Sequence, residues 1–325
     1  MLAFDLFENQ PNYCGFIGAY GSRTANFIVA KCDLVFAVGT RLDIRQVGKE
    51  RNQFAPEASI VRVDIDENEL SYHIKENEIA ICADCREVLN ALLNKNLPVV
   101  TENWEKVYLY IKKRLTGLDD RKPNQLISKL SKVIPDHTVI TTDVGQNQVW
   151  VAQSFHVKTN QQVLFSGGLG AMGYSLPAAI GAYYGKKKPV VSFCGDGGIQ
   201  MNIQELAFIE RERLPICLVV LNNHALGMIR HFQEMYFNNN YTQTTEGKGY
   251  YSPDFRKIAA AYNIKYQKII TADDIEKELI FQEPLFIEVE LKENTYVFPK
   301  LQYGAPNQDQ EPLLERKLYN ELMNL

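Results

Sequence analysis

Two short motifs carry the residue types best suited to chemistry. Asp196 stands in Gly195-Asp196-Gly197-Gly198, and Asn223 stands 27 positions later in Asn222-Asn223-His224-Ala225. A carboxylate and a side-chain amide oxygen are hard ligands, and with phosphate oxygens they suit a divalent cation such as Mg²⁺. Glycine beside the carboxylate lets the backbone pass close to a ligand. Each motif also has a plainer reading. An aspartate at a strand end is often a turn or helix cap, and Asn-Asn is a turn signal. Both motifs follow apolar runs, and that pairing favours a ligand site.

The elements that must position them can be read from the flanking pattern. Pro189 to Cys194 and Ile216 to Leu221 are apolar runs of strand length. In a parallel sheet both would open on one edge, where ligands bind. The spacing of Asn202 and Glu205 predicts a capping box and a helix starting at Asn202, leaving Asp196 on a glycine-rich turn. Thr138 to Asp143 is a β-branched strand leading into Gly145-Gln146-Asn147-Gln148. Glycine and amides there can bind an anion, though Gln148 and Trp150 could also simply cover the loop. Gly167 to Gly173 is a glycine-rich turn before a helix from about Leu176. Leu226 to Phe232 continues into another helix. Tyr236 to Tyr250 is asparagine-rich and reads as a mobile loop able to cover a site. His224 and His231 lack zinc spacing and read as loop or surface positions.

The longer strings are similar to the acetolactate synthase family of thiamine-diphosphate enzymes. They run from Ser166 to Gly181, from Gly195 to Met201 and from Leu221 to Arg230. The resemblance implies that Asp196 and Asn223 ligate Mg²⁺ through side chains and Ala225 through its backbone oxygen. It places Gly145, Gln146, Asn147, Gly170, Met172, Gly195, Gly197, Gly198, Leu226, Gly227 and Met228 around the cofactor, with Met172 propping its bent form. Asn147 stands where relatives usually carry histidine, and it cannot titrate. The implied activity is decarboxylation of a 2-keto acid followed by carboligation. The alternatives are a decarboxylase releasing an aldehyde, and a non-catalytic binding or assembly protein.

Upstream, Ser22 to Lys31 reads as a helix, Leu34 to Gly39 and Ile60 to Asp66 as buried strands, and Cys85 to Leu93 as a helix. This alternation implies a parallel α/β unit. By resemblance it is the family's central domain. Asp64-Ile65-Asp66 and the Gly39 to Arg45 segment match regions near FAD in flavin-containing relatives. The altered wording at Leu42 and Ile44 leaves FAD open and predicts folding without it.

The expected architecture is α/β with two parallel-sheet domains: a central six-stranded-type domain over 1–100, truncated at its start, and a thiamine-diphosphate-binding domain over 123–298. A linker helix over 101–122 joins them, and a tail over 299–325 follows that is available to pack on another subunit. The family's activating glutamate belongs to a preceding domain that the sequence does not display. The chain is therefore expected to hold no catalytic residue of its own and to be inactive alone. Its expected partners are a separate pyrimidine-binding chain, further copies of itself, or both.

Composition bounds the rest. The chain has 325 residues, 46% hydrophobic and 23% charged, with a net charge of -4. That is enough for two cores, and the net negative charge argues against nucleic acid as a partner. No apolar run is long enough for a membrane helix. Six scattered cysteines suit a reducing, cytoplasmic setting. Cys82-Ala83-Asp84-Cys85 lacks a second pair for zinc and reads as a helix cap.

Overall fold

The apolar runs become strands in two parallel sheets. The computed structural model describes residues 12–96, 101–276, 279 and 281–325. The first eleven residues of the expected central domain, and residues 97–100, lie outside the described residues. The chain divides into two compact units, one of Cys14–Asp119 with Phe298–Leu325 and one built on Asp120–Val297.

In the first unit, β1 (Leu34–Val38), β2 (Ser59–Asp64) and β3 (Ile79–Cys82) pair in parallel in that order. One face packs Ala37 and Ile60 against Leu42, Val47, Phe54 and Ile74. The sequence suggested that β1 is buried, but Leu34 and Phe36 are exposed. They alternate with Ala37's face on an edge strand, so period-2 geometry turns them away from the core. The six strands expected of the central domain are three here among the described residues.

The helix Arg23–Lys31 is capped by Ser22, whose side chain accepts from Ala25 N. It packs Phe27 against Ile111 and Leu115 of the helix Glu102–Leu115 and Leu322 of the helix Arg316–Met323. Helix 102–115 and the chain's end thus fold with the N-terminal residues. Each of these fully buried side chains contributes about 1.5–3 kcal/mol.

The second unit contains six parallel strands: β4 (Val139–Thr142), β5 (Gln162–Phe165), β6 (Val190–Gly195), β7 (Ile216–Asn222), β8 (Lys265–Ile269) and β9 (Leu285–Glu290). Their order is β5-β4-β6-β7-β9-β8. β6 and β7 are buried along nearly their whole length, as continuous apolar runs between two helical layers must be. β5 and β8 were not evident in the sequence. Both are edge strands, and β8 (Lys-Tyr-Gln-Lys-Ile) is largely polar. From β4 the chain first adds β5 on one side and then β6 on the other. That reversal opens a crevice between the carboxyl ends of β4 and β6, the usual ligand position in such sheets.

Candidate functional site

Both sides of the crevice carry the expected residues. Gly145 follows β4 with φ +124° and starts the helix Gln146–Ser154. Across the crevice, Gly195 ends β6. A Cβ placed on Gly195 would lie 3.9 Å from Asn147 Nδ2, so the two turns meet. Gly170 (φ +74°) abuts the same place, its Cβ position 3.8 Å from Val144.

Asp196 does not sit on a loose turn. The helix Asp196–Gln200 begins at the aspartate itself, and a second helix, Glu205–Arg211, starts at Glu205. The capping box predicted at Asn202 does not form. Asn202 Nδ2 instead donates to Gly173 O at 2.7 Å and so ties down the glycine-rich loop. Asp196 is buried, and its Oδ2 accepts from the Tyr250 hydroxyl at 2.8 Å. Burial pushes its carboxyl up to about 6, against the pull of the Tyr250 hydrogen bond.

β6 and β7 run in register from Val190↔Ile216 to Gly195↔Leu221, so Asp196 emerges beside Asn222 and Asn223. The two asparagines have different tasks. Asn222 is fully engaged: its Nδ2 donates to Glu288 at 2.7 Å, and its Oδ1 accepts from His224 N and Ser252 Oγ, each at 3.1 Å. These bonds hold the following turn, in which His224 takes φ +54°. Asn223 is buried, and its Nδ2 has no partner. Ala225 is buried and bridges Thr245.

The helix Gly227–Tyr236 follows. A Cβ on Gly227 would fall 2.0 Å from Gln146 Oε1 and 2.7 Å from Asn223 Nδ2. Only glycine lets these two amides converge. Leu226 and Met172 meet at Gly197, where a Cβ would lie 2.5 Å from Leu226 Cδ2 and 3.4 Å from Met172 Cε. Met172 is partly exposed, as a residue facing a ligand should be. Met228 lies half-buried in the first turn of the helix.

Among the described residues, Gln146 Nε2, Gln148 Nε2, Asn147 Oδ1 and Asn223 Nδ2 are buried without hydrogen-bond partners. Such groups cost stability unless a ligand satisfies them. Three of the four are N–H donors, which suits an acceptor-rich anion. Beside them lies a buried carboxylate able to hold a cation.

Two residues that sequence reasoning missed organise this site. Asp143 Oδ1 accepts from Val144 N (2.7 Å) and Gly173 N (2.9 Å), and its Oδ2 accepts from Ser175 N (3.3 Å) and Ser175 Oγ (3.2 Å). Burial raises its carboxyl above the usual range even though these bonds oppose it. A Cβ on Gly198 would touch this carboxylate at 3.0 Å. Its signal was its place just after β4, two positions before the segment Gly145-Gln146-Asn147-Gln148. The second is Tyr250, in the segment read as a mobile loop; its partners are too distant in sequence to foresee. His231, expected on a loop or at the surface, is buried in a helix and stacked on Tyr296 at 4.0 Å. Cys82 and Cys85 are free, and Asp84 caps its helix as expected. Among the described residues no cluster of His, Cys, Asp and Glu could hold a metal by itself. A cation at Asp196 would therefore draw on amide, backbone and ligand oxygens. No described helix is long and apolar enough to cross a membrane.

The fold and crevice define a parallel α/β protein whose unpaired donors and buried carboxylate suit an anionic group. Residues 143–289 match the thiamine pyrophosphate enzyme C-terminal TPP binding domain, and residues 4–92 match the thiamine pyrophosphate enzyme central domain. The chain belongs to the thiamine pyrophosphate enzymes, and the relatives it resembles are acetolactate synthase large subunits. It is 36% identical over 301 residues to a probable acetolactate synthase large subunit of Methanocaldococcus jannaschii, covering 87% of this chain and 50% of that protein. It is 35% identical over 311 residues to the acetolactate synthase isozyme 2 large subunit of Escherichia coli K12, covering 93% and 55%. With the large subunit of Lactococcus lactis it shares 35% identity over 305 residues, covering 89% and 51%. The chain spans about half the length of the curated relatives it matches.

Proposed function

We propose that this chain binds the diphosphate of thiamine diphosphate with Mg²⁺ and forms that side of an acetolactate synthase-like enzyme acting on 2-keto acids. The convergence of unpartnered Gln146 and Asn223 amides at Gly227, beside the buried Asp196 carboxylate, carries this reading. The residues fit the group. Gln146 Nε2, Gln148 Nε2 and Asn223 Nδ2 would donate to diphosphate oxygens, and Asp196, the Asn223 Oδ1 and the Ala225 carbonyl would take the cation. The thiazolium ring supplies the carbanion chemistry by which a 2-keto acid loses carbon dioxide.

The chain's own residues bind and shield. Met172 and Leu226 present apolar surface at Gly197, where an unbranched thioether can follow a ring's outline. The segment at Thr244–Tyr250 lies against the Ala225 turn and Asp196, limiting water at the charged centre. Proton transfer at the cofactor's pyrimidine ring is left to a glutamate outside these residues, so these residues alone should release no carbon dioxide from pyruvate. Two measurements test this. Calorimetry with Mg²⁺ should detect thiamine diphosphate binding to the chain. Carbon dioxide release should appear only when an N-terminal domain from a relative is added. Strong turnover by the chain alone would overturn the division of labour, and no cofactor binding at all would overturn the assignment.

A further inference from the structure

The Asp196 carboxylate and the Ala225 turn lie at the ends of different strands, yet one segment holds both. Ala225 bridges Thr245 in antiparallel sense, and Leu226 N donates to Thr244 O at 2.9 Å. Five residues on, Tyr250 N donates back to Thr245 O at 3.2 Å, Glu246 bridges Tyr250, and the Tyr250 hydroxyl reaches Asp196 Oδ2 at 2.8 Å. The direction of that last bond is fixed by a neighbour. Gln200 Nε2 donates to the Asp196 carbonyl (2.9 Å) and the Tyr251 carbonyl (3.3 Å), which identifies it as the donor end of the amide. The same nitrogen lies 3.3 Å from the Tyr250 oxygen. An amide has only two N–H groups, so the second is shared between the Tyr251 carbonyl and the hydroxyl oxygen, whose own hydrogen goes to Asp196. Gly197 lies beside this contact, and a Cβ there would meet the hydroxyl at an ordinary 3.5 Å.

We propose that Tyr250 is a positioning residue of the cation site, fixing the Asp196 carboxylate through Oδ2 while Thr244 and Thr245 fix the Ala225 turn. The proposal rests on the reading of Asp196 as a cation ligand. A ligating carboxylate is commonly oriented by a hydrogen bond to its second oxygen, and loss of such a partner typically weakens metal binding about 10–100-fold. Mg²⁺ demands near-ideal octahedral geometry and normally takes one oxygen per carboxylate, whereas Ca²⁺ accepts looser and bidentate arrangements. A carboxylate free to swing should thus lose Mg²⁺ far more than Ca²⁺. Tyr250 then contributes metal preference as well as affinity.

The test replaces Tyr250 with phenylalanine in the full chain, removing one oxygen and keeping the ring. Thiamine diphosphate is titrated in the presence of Mg²⁺ and, separately, of Ca²⁺, and unliganded thermal unfolding is recorded alongside. The expected result is a loss of about 10-fold or more in Mg²⁺-dependent affinity against about 3-fold or less with Ca²⁺. A purely structural hydroxyl would lower both affinities equally or shift only the melting temperature, and that result would overturn the proposal. So would unchanged or tighter Mg²⁺ binding, which would mark the hydroxyl as a competitor of the cation. If wild type binds the cofactor with neither metal, the cofactor reading itself fails, and this inference with it. Should Tyr250→Phe not fold, Gln200→Met removes the donor that orients the hydroxyl. It should narrow the Mg²⁺ over Ca²⁺ preference in the same direction, and an unchanged preference would count against the proposal.

Discussion

The carboxyl ends of the two sheets can be set side by side. After β1, β2 and β3, the aspartates accept from backbone N–H groups of their own turns. Asp43 accepts from Arg45 N at 2.8 Å, Asp64 from Asp66 N at 3.0 Å, Asp66 from Asn68 N at 2.9 Å and Asp84 from Arg86 N at 2.7 Å. Every partner is two residues away, the reach of an Asx turn or helix cap. After β4 and β6 the carboxylates are buried and reach across the fold. Asp143 bonds residues 30 and 32 positions away, and Asp196 bonds one 54 positions away. Both sheets are parallel and both end in Asp-bearing loops. The six-stranded sheet differs in its buried glycines and the polar atoms left unpaired beside them. An aspartate at a strand end is a cap by default, and it becomes a site when its neighbours cannot satisfy it locally.

The contrast can be broken most forcefully at Asp196. Asp196→Ala removes a charged cation ligand, and Mg²⁺-dependent binding of thiamine diphosphate should fall by more than about 100-fold, since even outer partners are worth about 10–100-fold. Titration calorimetry on both proteins measures this, and equal affinities would end the metal assignment. Gly227→Ala should come next. Its methyl would displace the Gln146 and Asn223 amides and cost roughly 10-fold in cofactor affinity. The control is Gly181→Ala in the helix Ser175–Lys186, where nothing lies within 4 Å of the new carbon. That change should leave binding alone and stabilise the helix by about 0.5–1 kcal/mol in denaturant unfolding.

Much of this contrast was legible in the sequence, for physical reasons. β6 and β7 are apolar runs because helices cover both faces, β4 is a β-branched one, and composition reveals such strands. Asp196, Asn223 and the glycines of the crevice stood out as residue types that serve no core. What escaped notice depends on distance. Tyr250 matters through Asp196, and Asn202 through Gly173, and no local pattern encodes either pairing. Asn202 and Glu205 had the spacing of a capping box, but the asparagine side chain, which would accept in such a box, donates to the glycine-rich loop instead. β5 and β8 escaped because edge strands carry polar residues and little periodicity. His231 sits on a helix whose buried positions are Gly227, Arg230 and His231 rather than aliphatic residues, and Tyr296 from outside the helix stacks on His231.

A smaller effect, now on stability, is expected at Asp143. Asp143→Asn turns one acceptor oxygen into a donor facing backbone N–H groups or the Ser175 hydroxyl, at a cost of about 2–3 kcal/mol in denaturant unfolding. The variant should also change the pH profile. Burial raises the native carboxyl above its unfolded value, so the native state holds this proton more tightly than the unfolded chain. The associated stability is fully present below the unfolded carboxylate value and is lost as pH rises through the higher native one. Stability curves across the acidic range should show this decline in wild type and lack it in Asp143→Asn. Parallel curves would assign the decline to another group.

The smallest effects belong to the three-stranded sheet. Asp66 and Asp84 each cap an exposed helix end through a single backbone N–H two residues on. Replacing either with alanine should cost about 1 kcal/mol, the ordinary loss of an N-cap. The loss should be confined to the unit built on Cys14–Asp119, since both bonds close within their own turns. Water can reach these helix ends and take over part of the lost hydrogen bond, which keeps the cost well below that at Asp143. Thiamine diphosphate and Mg²⁺ should therefore raise the melting temperature of Asp66→Ala and Asp84→Ala by the same increment as in wild type, from a slightly lower start. That increment is the discriminating quantity, because a ligand stabilises according to its affinity for the native state alone. A reduced increment in either variant would mean that a carboxylate of this sheet takes part in binding. The distinction drawn from partner distance, local for a cap and long-range for a site, would then fail.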